Sequence, residues 1–178
     1  DLMPLLSTPP ELIRIANAIA KSKGRSILVG GAVRDHCMGR KSLKDFDVEI
    51  FGISPEVLES VLQNFGNIHA VGKSFGVLKL KTSSAEYDFS LPRRENKAGK
   101  GHRGFMVRPD STMSYRDAAS RRDFTVNSIG YDLLTKTLLD PFDGLGDIKH
   151  KILRHVGPAF TEDPLRVLRA MQFSARLE

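Results

Sequence analysis

Between Asp45 and Ile50 the chain alternates strictly, with Asp45, Asp47 and Glu49 at one parity and Phe46, Val48 and Ile50 at the other. A period of two belongs to a β-strand, whose successive side chains point to opposite faces. A strand over Phe46–Phe51 would therefore bury one face and turn Asp47 and Glu49, with Asp45 just before it, to the other. Acids two positions apart stand roughly 6.5–7 Å from each other at the backbone, close enough to repel. Such a pair can converge on a hard cation such as Mg2+, which takes oxygen ligands and leaves further positions for substrate phosphates. The polar face of an exposed strand produces the same pattern. A later acid, Asp88, falls in a second strand-like run, Tyr87–Leu91, and either joins the set or faces solvent.

The segments on either side indicate a mixed α/β (α+β) chain. Leu12, Ile15, Ala16 and Ile19 form an apolar stripe at helical spacing over Pro10–Ser22. Ser26–Val29 is a short apolar strand ending at Gly30-Gly31, and Ala32–Met38 reads as a helix. Ser54-Pro55 is a cap followed by proline at the first helical position, and the helix after it buries Leu58, Val61, Leu62 and Phe65. Strands are expected at Asn67–Val71, Gly76–Lys81, Tyr131–Leu134, Thr137–Leu139 and Lys151–Val156. Arg122–Ile129 is expected to be helical and DPFDGLGD to be a turn, and Asp163-Pro164 caps a last helix. The chain lacks an initial Met and stops within a helical pattern, as a fragment of a longer protein would.

Composition narrows the class further. The 178 residues are 40% hydrophobic and 27% charged, which excludes a disordered chain, and no apolar run approaches the roughly 20 residues of a membrane span. One cysteine, Cys37, excludes an internal disulfide and fits a reducing, cytoplasmic compartment. The formal charge of +6 is concentrated. Arg93–Arg122 holds nine basic residues against three acids, and the rest of the chain is balanced. The first half of that stretch, RRENKAGKGHRGF, has no apolar period and reads as a basic loop, either solvated or following a phosphate backbone.

Three further groupings suit nucleotide chemistry, each with a plain structural alternative. Gly30-Gly31 before a helix lets the backbone approach an anion, and Arg34 adds a charged donor; a tight turn needs the same glycines. This is not the G-x-G-x-x-G pattern of dinucleotide folds. Arg121, Arg122, Asp123 and Asn127 suit a triphosphate and ribose, or an ordinary helix start. Asp163, Arg166 and Arg169 offer an acceptor and planar donors that match a base edge, although Asp163 is also a plain N-cap.

In order, VGGAVRD (Val29–Asp35), KDFDVEI (Lys44–Ile50), RRDFTVN (Arg121–Asn127), DPFDGLGDI (Asp140–Ile148) and EDPLRVLR (Glu162–Arg169) resemble the catalytic head of class II tRNA nucleotidyltransferases, the CCA-adding enzymes, and their relatives the bacterial poly(A) polymerases. The resemblance implies a polymerase-beta-type nucleotidyltransferase head with a small mixed sheet. It divides the chain into an N-terminal helical extension (1–25), the head (26–157) and the start of an α-helical neck (158–178). It also implies a template-independent enzyme that adds CCA to tRNA 3′ ends from CTP and ATP and releases pyrophosphate. A poly(A) polymerase or a CC-only or A-only enzyme shares these motifs, and a non-enzymatic RNA-binding module is a more distant reading. By the same resemblance Asp45 and Asp47 bind the catalytic Mg2+ ions, with Asp88 at the third acid; Gly30, Gly31 and Arg34 bind phosphate. Arg122, Asp123 and Asn127 hold triphosphate and ribose, Asp163 and Arg166 read the incoming base, and Arg169 contacts the nucleotide. Where the family carries another arginine, this chain has Gln172.

Overall fold

Proline at its first position, an acid in the first turn and a lysine in the last favour the first helix, α1 (Pro10–Lys21). Its stripe is the expected one: Leu12, Ile15, Ala16 and Ile19 are buried. Each large aliphatic side chain removed from water this way contributes about 1.5–3 kcal/mol. The computed structural model describes residues 6–40, 45–69, 76–97 and 105–157. After α1 come β1 (Arg25–Val29), α2 (Gly31–Cys37), β2 (Phe46–Phe51), α3 (Pro55–Leu62), β3 (Asn67–His69), β4 (Val77–Lys81) and β5 (Glu86–Ser90). Then follow β6 (Arg93–Lys97), β7 (Phe105–Pro109), α4 (Tyr115–Ala119), a 3-10 turn (Thr125–Asn127), β8 (Gly130–Asp132), β9 (Thr137–Leu139) and α5 (Gly144–Lys149).

Among the described residues the sheet has seven strands in the order β3-β4-β5-β2-β1-β8-β9. The β2–β5 junction is parallel and the others are antiparallel. This is the small mixed sheet that the motifs implied. One face carries the main core, in which Leu12, Ile15 and Ile19 of α1 pack with Val48 and Ile50 of β2, Leu58 and Leu62 of α3, and Phe89 of β5. The Ser54 hydroxyl caps α3, accepting from the Val57 amide as expected. Tyr87 donates its hydroxyl to Glu11 at 2.8 Å, and Thr82 donates to the same carboxylate at 2.9 Å, fastening α1 to β5 and its preceding turn. Helix α1 is therefore built into the core of the sheet. A smaller cluster on the other face joins Ile27, Val29 and Phe51 to Met113, Tyr115, Ala118 and Ala119.

The structure corrects several local expectations. RRENKAGKGHRGF is not wholly a loop: β6 pairs with β7 from Arg93↔Pro109 to Lys97↔Phe105, and residues 98–104 lie outside the described residues. Arg122–Ile129 is not an α-helix. Phe124 is extended (φ −116°, ψ 152°), the Thr125 amide donates to the Arg154 carbonyl and the Val156 amide to the Asp123 carbonyl, so only Thr125–Asn127 coils. The downstream partner, Lys151–Val156, is not a strand, since it contributes one isolated bridge, Phe124↔His155. The helix of this region lies earlier, in α4, where Ser114 accepts from the Asp117 amide. DPFDGLGD also yields a helix, α5, whose start is held by Asp140 accepting from Gly144 and Leu145 and by Asp143 accepting from Gly146. Ala70 and Val71 and the helix expected from Asp163 lie outside the described residues.

Candidate nucleotide-binding site

The site forms where β1 ends against β2. Val29 stands opposite Asp47, and the next residue, Gly30, turns the chain at φ 79°, a left-handed conformation that favours glycine. A Cβ on Gly30 would lie 3.5 Å from the Asp47 carboxylate, so the glycine turn lies directly beside that acid. From the turn, α2 places Arg34 over Gly31. Arg34 donates from Nη1 to Asn127 Oδ1 at 3.1 Å and pairs with Asp35 at 3.2 Å. Asn127 in turn donates to Asp123 at 2.9 Å, and the same Asp123 oxygen accepts from the Phe124 amide at 2.8 Å. Two motifs about 90 positions apart in the chain are thus joined by one chain of hydrogen bonds.

A cavity of about 340 Å3 opens between them, lined by Gly30, Gly31, Arg34, Arg121, Arg122, Asp123 and Asn127. Three guanidinium groups and a glycine turn on one concave wall suit a polyanion, for which Arg offers planar, multidentate donors. The carboxylates form the adjoining edge. Asp45 and Asp47 are exposed, and Asp88 is the register neighbour of Asp47 on β5. Desolvation, and next the charge of Asp88, push Asp47 above the ordinary carboxylate range; Arg122 opposes that shift and Asp45 adds to it. Acids held together at raised energy attract a cation.

Among the described residues no group of three His, Cys, Asp or Glu side chains is placed to hold a metal ion by itself. The donor set still fits Mg2+, which binds through one or two carboxylates and fills its other positions with water and substrate phosphate. Asp45 and Asp47 supply that pair, and Asp88 is engaged by Lys79 at 3.8 Å.

Of the residues singled out from the sequence, Gly30, Gly31, Arg34, Arg122, Asp123 and Asn127 meet around the cavity. Asp47 and Asp88 meet on the sheet. Asp163, Arg166 and Arg169 lie outside the described residues. Arg121 also lines the cavity and was legible as half of the arginine pair; Lys79 was not, because cross-strand pairing leaves no mark in the order of residues. Glu49 departs from the exposed acidic face expected for β2: only 9% of it is accessible. Cys37 is half-buried, and burial pushes its thiol up to about 11, which leaves it little reactive thiolate.

Residues 26–154 match the family model of the poly A polymerase head domain. The chain belongs to that family. It is 46% identical over 153 residues to a multifunctional CCA protein of Xylella fastidiosa strain 9a5c, an alignment covering 86% of this chain and 35% of that protein. The chain thus spans about a third of the length of the curated relatives it matches. The crystal structure of the Bacillus stearothermophilus CCA-adding enzyme in complex with CTP is 29% identical, with a TM-score of 0.73, over 94% of this chain and 39% of that one. A tRNA nucleotidyltransferase complexed with a primer tRNA and an incoming ATP analog is 30% identical, with a TM-score of 0.72, over 92% of this chain and 45% of that one. The fold is therefore that of the CCA-adding enzyme head.

Proposed function

We propose that this head transfers nucleoside monophosphates from CTP and ATP to the 3′-hydroxyl of tRNA, building CCA without a template and releasing pyrophosphate. The observation that carries the reading is the junction of the Asp47 carboxylate with the arginine-lined cavity at Gly30. A triphosphate in that cavity would lay its reacting phosphate toward Asp45 and Asp47. Those two carboxylates would hold Mg2+, which when bound lowers the pKa of the attacking hydroxyl and offsets charge on the leaving pyrophosphate. The remaining work is positioning and electrostatics. Arg34, Arg121 and Arg122 would bind the phosphates, Asn127 and Asp123 would orient the ribose, and Asp163 with Arg166 would read the base edge. The attacking 3′-oxygen gains its bond to the α-phosphate as the bond to pyrophosphate breaks.

In this reading residues 26–157 form the head, 158–178 begin a helical neck, and the protein works in the cytoplasm. Among the described residues no helix is long and apolar enough to cross a membrane. The family model also covers poly A polymerases, which supports the second reading, addition of AMP alone to general RNA. The full-length protein, given tRNA lacking its terminal triplet and one labelled nucleotide at a time, separates the two. CTP incorporation followed by one AMP is expected; AMP runs on any RNA, or no incorporation, would overturn CCA addition.

A further inference from the structure

A second cavity lies on the α1 side of the sheet, between the start of α1 and the β8–β9 turn. It measures about 480 Å3 and shares no lining residue with the nucleotide cavity. Leu6, Ile13, Leu133 and Tyr131 line it together with Arg14 and Lys136, and among the described residues no carboxylate does. Leu6, Tyr131 and Leu133 belong to the main core and are at most 5% exposed, so the fold itself fixes the apolar floor. Arg14 and Lys136 are exposed and form the charged rim.

The acids that could neutralise this rim are engaged elsewhere. Glu11, three residues before Arg14 on α1, accepts from Tyr87 and Thr82. Asp132, four residues before Lys136, pairs with Arg25 at 2.8 Å and accepts from the Leu134 and Thr135 amides at 3.1 Å. The Lys136 amide donates to the Asp132 carbonyl at 2.8 Å, so the turn that carries this lysine is pinned. Among the described residues neither Arg14 nor Lys136 makes a side-chain hydrogen bond or an ion pair. The Tyr131 hydroxyl also has no hydrogen-bond partner among them, although the residue is only 4% exposed. Burial, and next the charge of Asp132, push that phenol up, so it is a neutral donor at pH 7. Buried tyrosine hydroxyls normally find a partner. A donor left over at a cavity wall, below two cations without counter-charges, points to an anionic acceptor.

We infer that this cavity is a second ligand site of the head, one that takes a small organic anion with an apolar body. Its volume falls within the roughly 300–1,000 Å3 of small-molecule pockets, which are mostly apolar with a few convergent polar groups. The aliphatic floor and the Tyr131 ring would cover the body of the ligand. Arg14, Lys136 and the Tyr131 hydroxyl would hold a carboxylate, sulfonate or phosphate at its end. A bare inorganic anion leaves the apolar floor uncovered, and a neutral hydrocarbon leaves both cations unmatched. Because the cations are exposed, each is screened by water and contributes modestly alone. Affinity therefore needs both charges and burial of the body together. None of the residues assigned to nucleotidyl transfer lines this cavity, so the inference stands apart from that reading.

The probe is 8-anilinonaphthalene-1-sulfonate, which joins an apolar ring system to one negative charge and brightens as its rings leave water. Its fluorescence is titrated with the full-length parent, the Arg14→Gln/Lys136→Gln double variant and Tyr131→Phe, and thermal unfolding checks each fold. The double variant should bind the dye about tenfold more weakly, and Tyr131→Phe about threefold more weakly. N-phenyl-1-naphthylamine, the same ring system without the sulfonate, should bind the parent and the double variant equally. The dye should raise the melting temperature of the parent more than that of the double variant. CTP with Mg2+ should not displace it. Equal dye affinity in the parent and the double variant would overturn the inference. So would an equal loss for the neutral analogue, which would make the effect one of packing and not of charge. Displacement of the dye by CTP would overturn it as well, by placing the dye in the nucleotide cavity.

Discussion

Asp47 and Asp88 stand side by side in register across the parallel β2–β5 junction, and their environments differ. Asp88 has Lys79 at 3.8 Å on the strand beyond it. Among the described residues Asp47 makes no ion pair, and desolvation, with the charge of Asp88, raises its affinity for protons against the opposing charges of Arg122 and Lys79. The face of the sheet is thus divided between an acid paired with a lysine and an acid whose charge its neighbours offset only in part.

Replacing Asp47 by Asn should therefore separate activity from stability. Nucleotide incorporation should fall by roughly a thousandfold or more if the carboxylate holds the catalytic metal. Stability should not fall, because the folded state disfavours the charged form. The pKa is raised from 3.8, so the unfolded chain releases this proton more readily, and stability is lost as pH rises from about that value through the folded pKa. In EDTA at pH 7 the variant should melt no lower than the parent, with any advantage closing as pH falls toward 3.8. Thermal unfolding across that range decides it, and a clear loss of stability at pH 7 would contradict the electrostatics described.

The Glu11 carboxylate should matter to the fold and not to the nucleotide. It accepts from Tyr87, whose ring is buried, and from Thr82. Glu11→Ala leaves the Tyr87 hydroxyl without its acceptor, which costs about 1–3 kcal/mol, whereas Tyr87→Phe removes the donor as well and costs about 1 kcal/mol. Hydrogen exchange of the α1 amides should report the loosening, with the KM for CTP unchanged in both variants.

How much of this was legible in the residues follows from the range of the interactions. The stripe of α1 and the alternation of β2 are local periodicities enforced by burial, and both elements appear where the pattern placed them. Arg122–Ile129 misled because its amides and carbonyls are claimed by residues about 30 positions later, which no local pattern announces. In α5 two glycines argued for a turn, but the Asp140 and Asp143 carboxylates hold the first turn of a helix. At the site, residue identities were readable and partners were not. The motif showed Arg34 and Asn127; that they bond each other, and that Glu49 lies buried beneath Asp47, came only with the fold.

The charge concentrated in Arg93–Arg122 offers a separate test. Lys97, Lys100 and Arg103 belong to the stretch that holds the whole net +6. Cations that follow a phosphate backbone release counterions on binding, so affinity should fall as salt rises. Changing all three to Ala should weaken tRNA binding and reduce its slope against log salt by up to about 2, while leaving the Kd for CTP nearly unchanged. An unaltered salt slope in a filter-binding titration would reduce the stretch to a solvated surface.

Cys37 should resist modification. Burial, with a smaller push from the charge of Asp140, raises its thiol to about 11, so almost no thiolate exists at pH 7. Alkylation by iodoacetamide should run at least about tenfold slower than for a free cysteine and accelerate only as pH approaches 11. The same raised value means that any stability linked to the neutral thiol is complete below 9.0 and declines as pH rises through about 11. Rapid labelling at pH 7 in the folded protein would show that the α2 environment is more open than described.

Asp147 connects the downstream helix to the nucleotide motif, and its loss should reach the cavity. It is 6% exposed on α5 and accepts from the Thr125 hydroxyl at 2.6 Å and from Arg154 at 3.2 Å. Thr125 begins the 3-10 turn that presents Asn127 to Arg34 and Asp123. Asp147→Ala leaves the buried Thr125 hydroxyl without its acceptor and removes the charge facing Arg154, at a cost of about 1–3 kcal/mol. Asp147→Asn keeps an acceptor for Thr125 and should recover about half of that loss. Because Asn127 moves with the turn, the KM for both CTP and ATP should rise severalfold in the Ala variant and less in the Asn variant, with kcat falling less than KM rises. Urea unfolding and steady-state kinetics on the same preparations check the two effects together. A stability loss with KM unchanged would show that the turn holds its shape without the α5 lock.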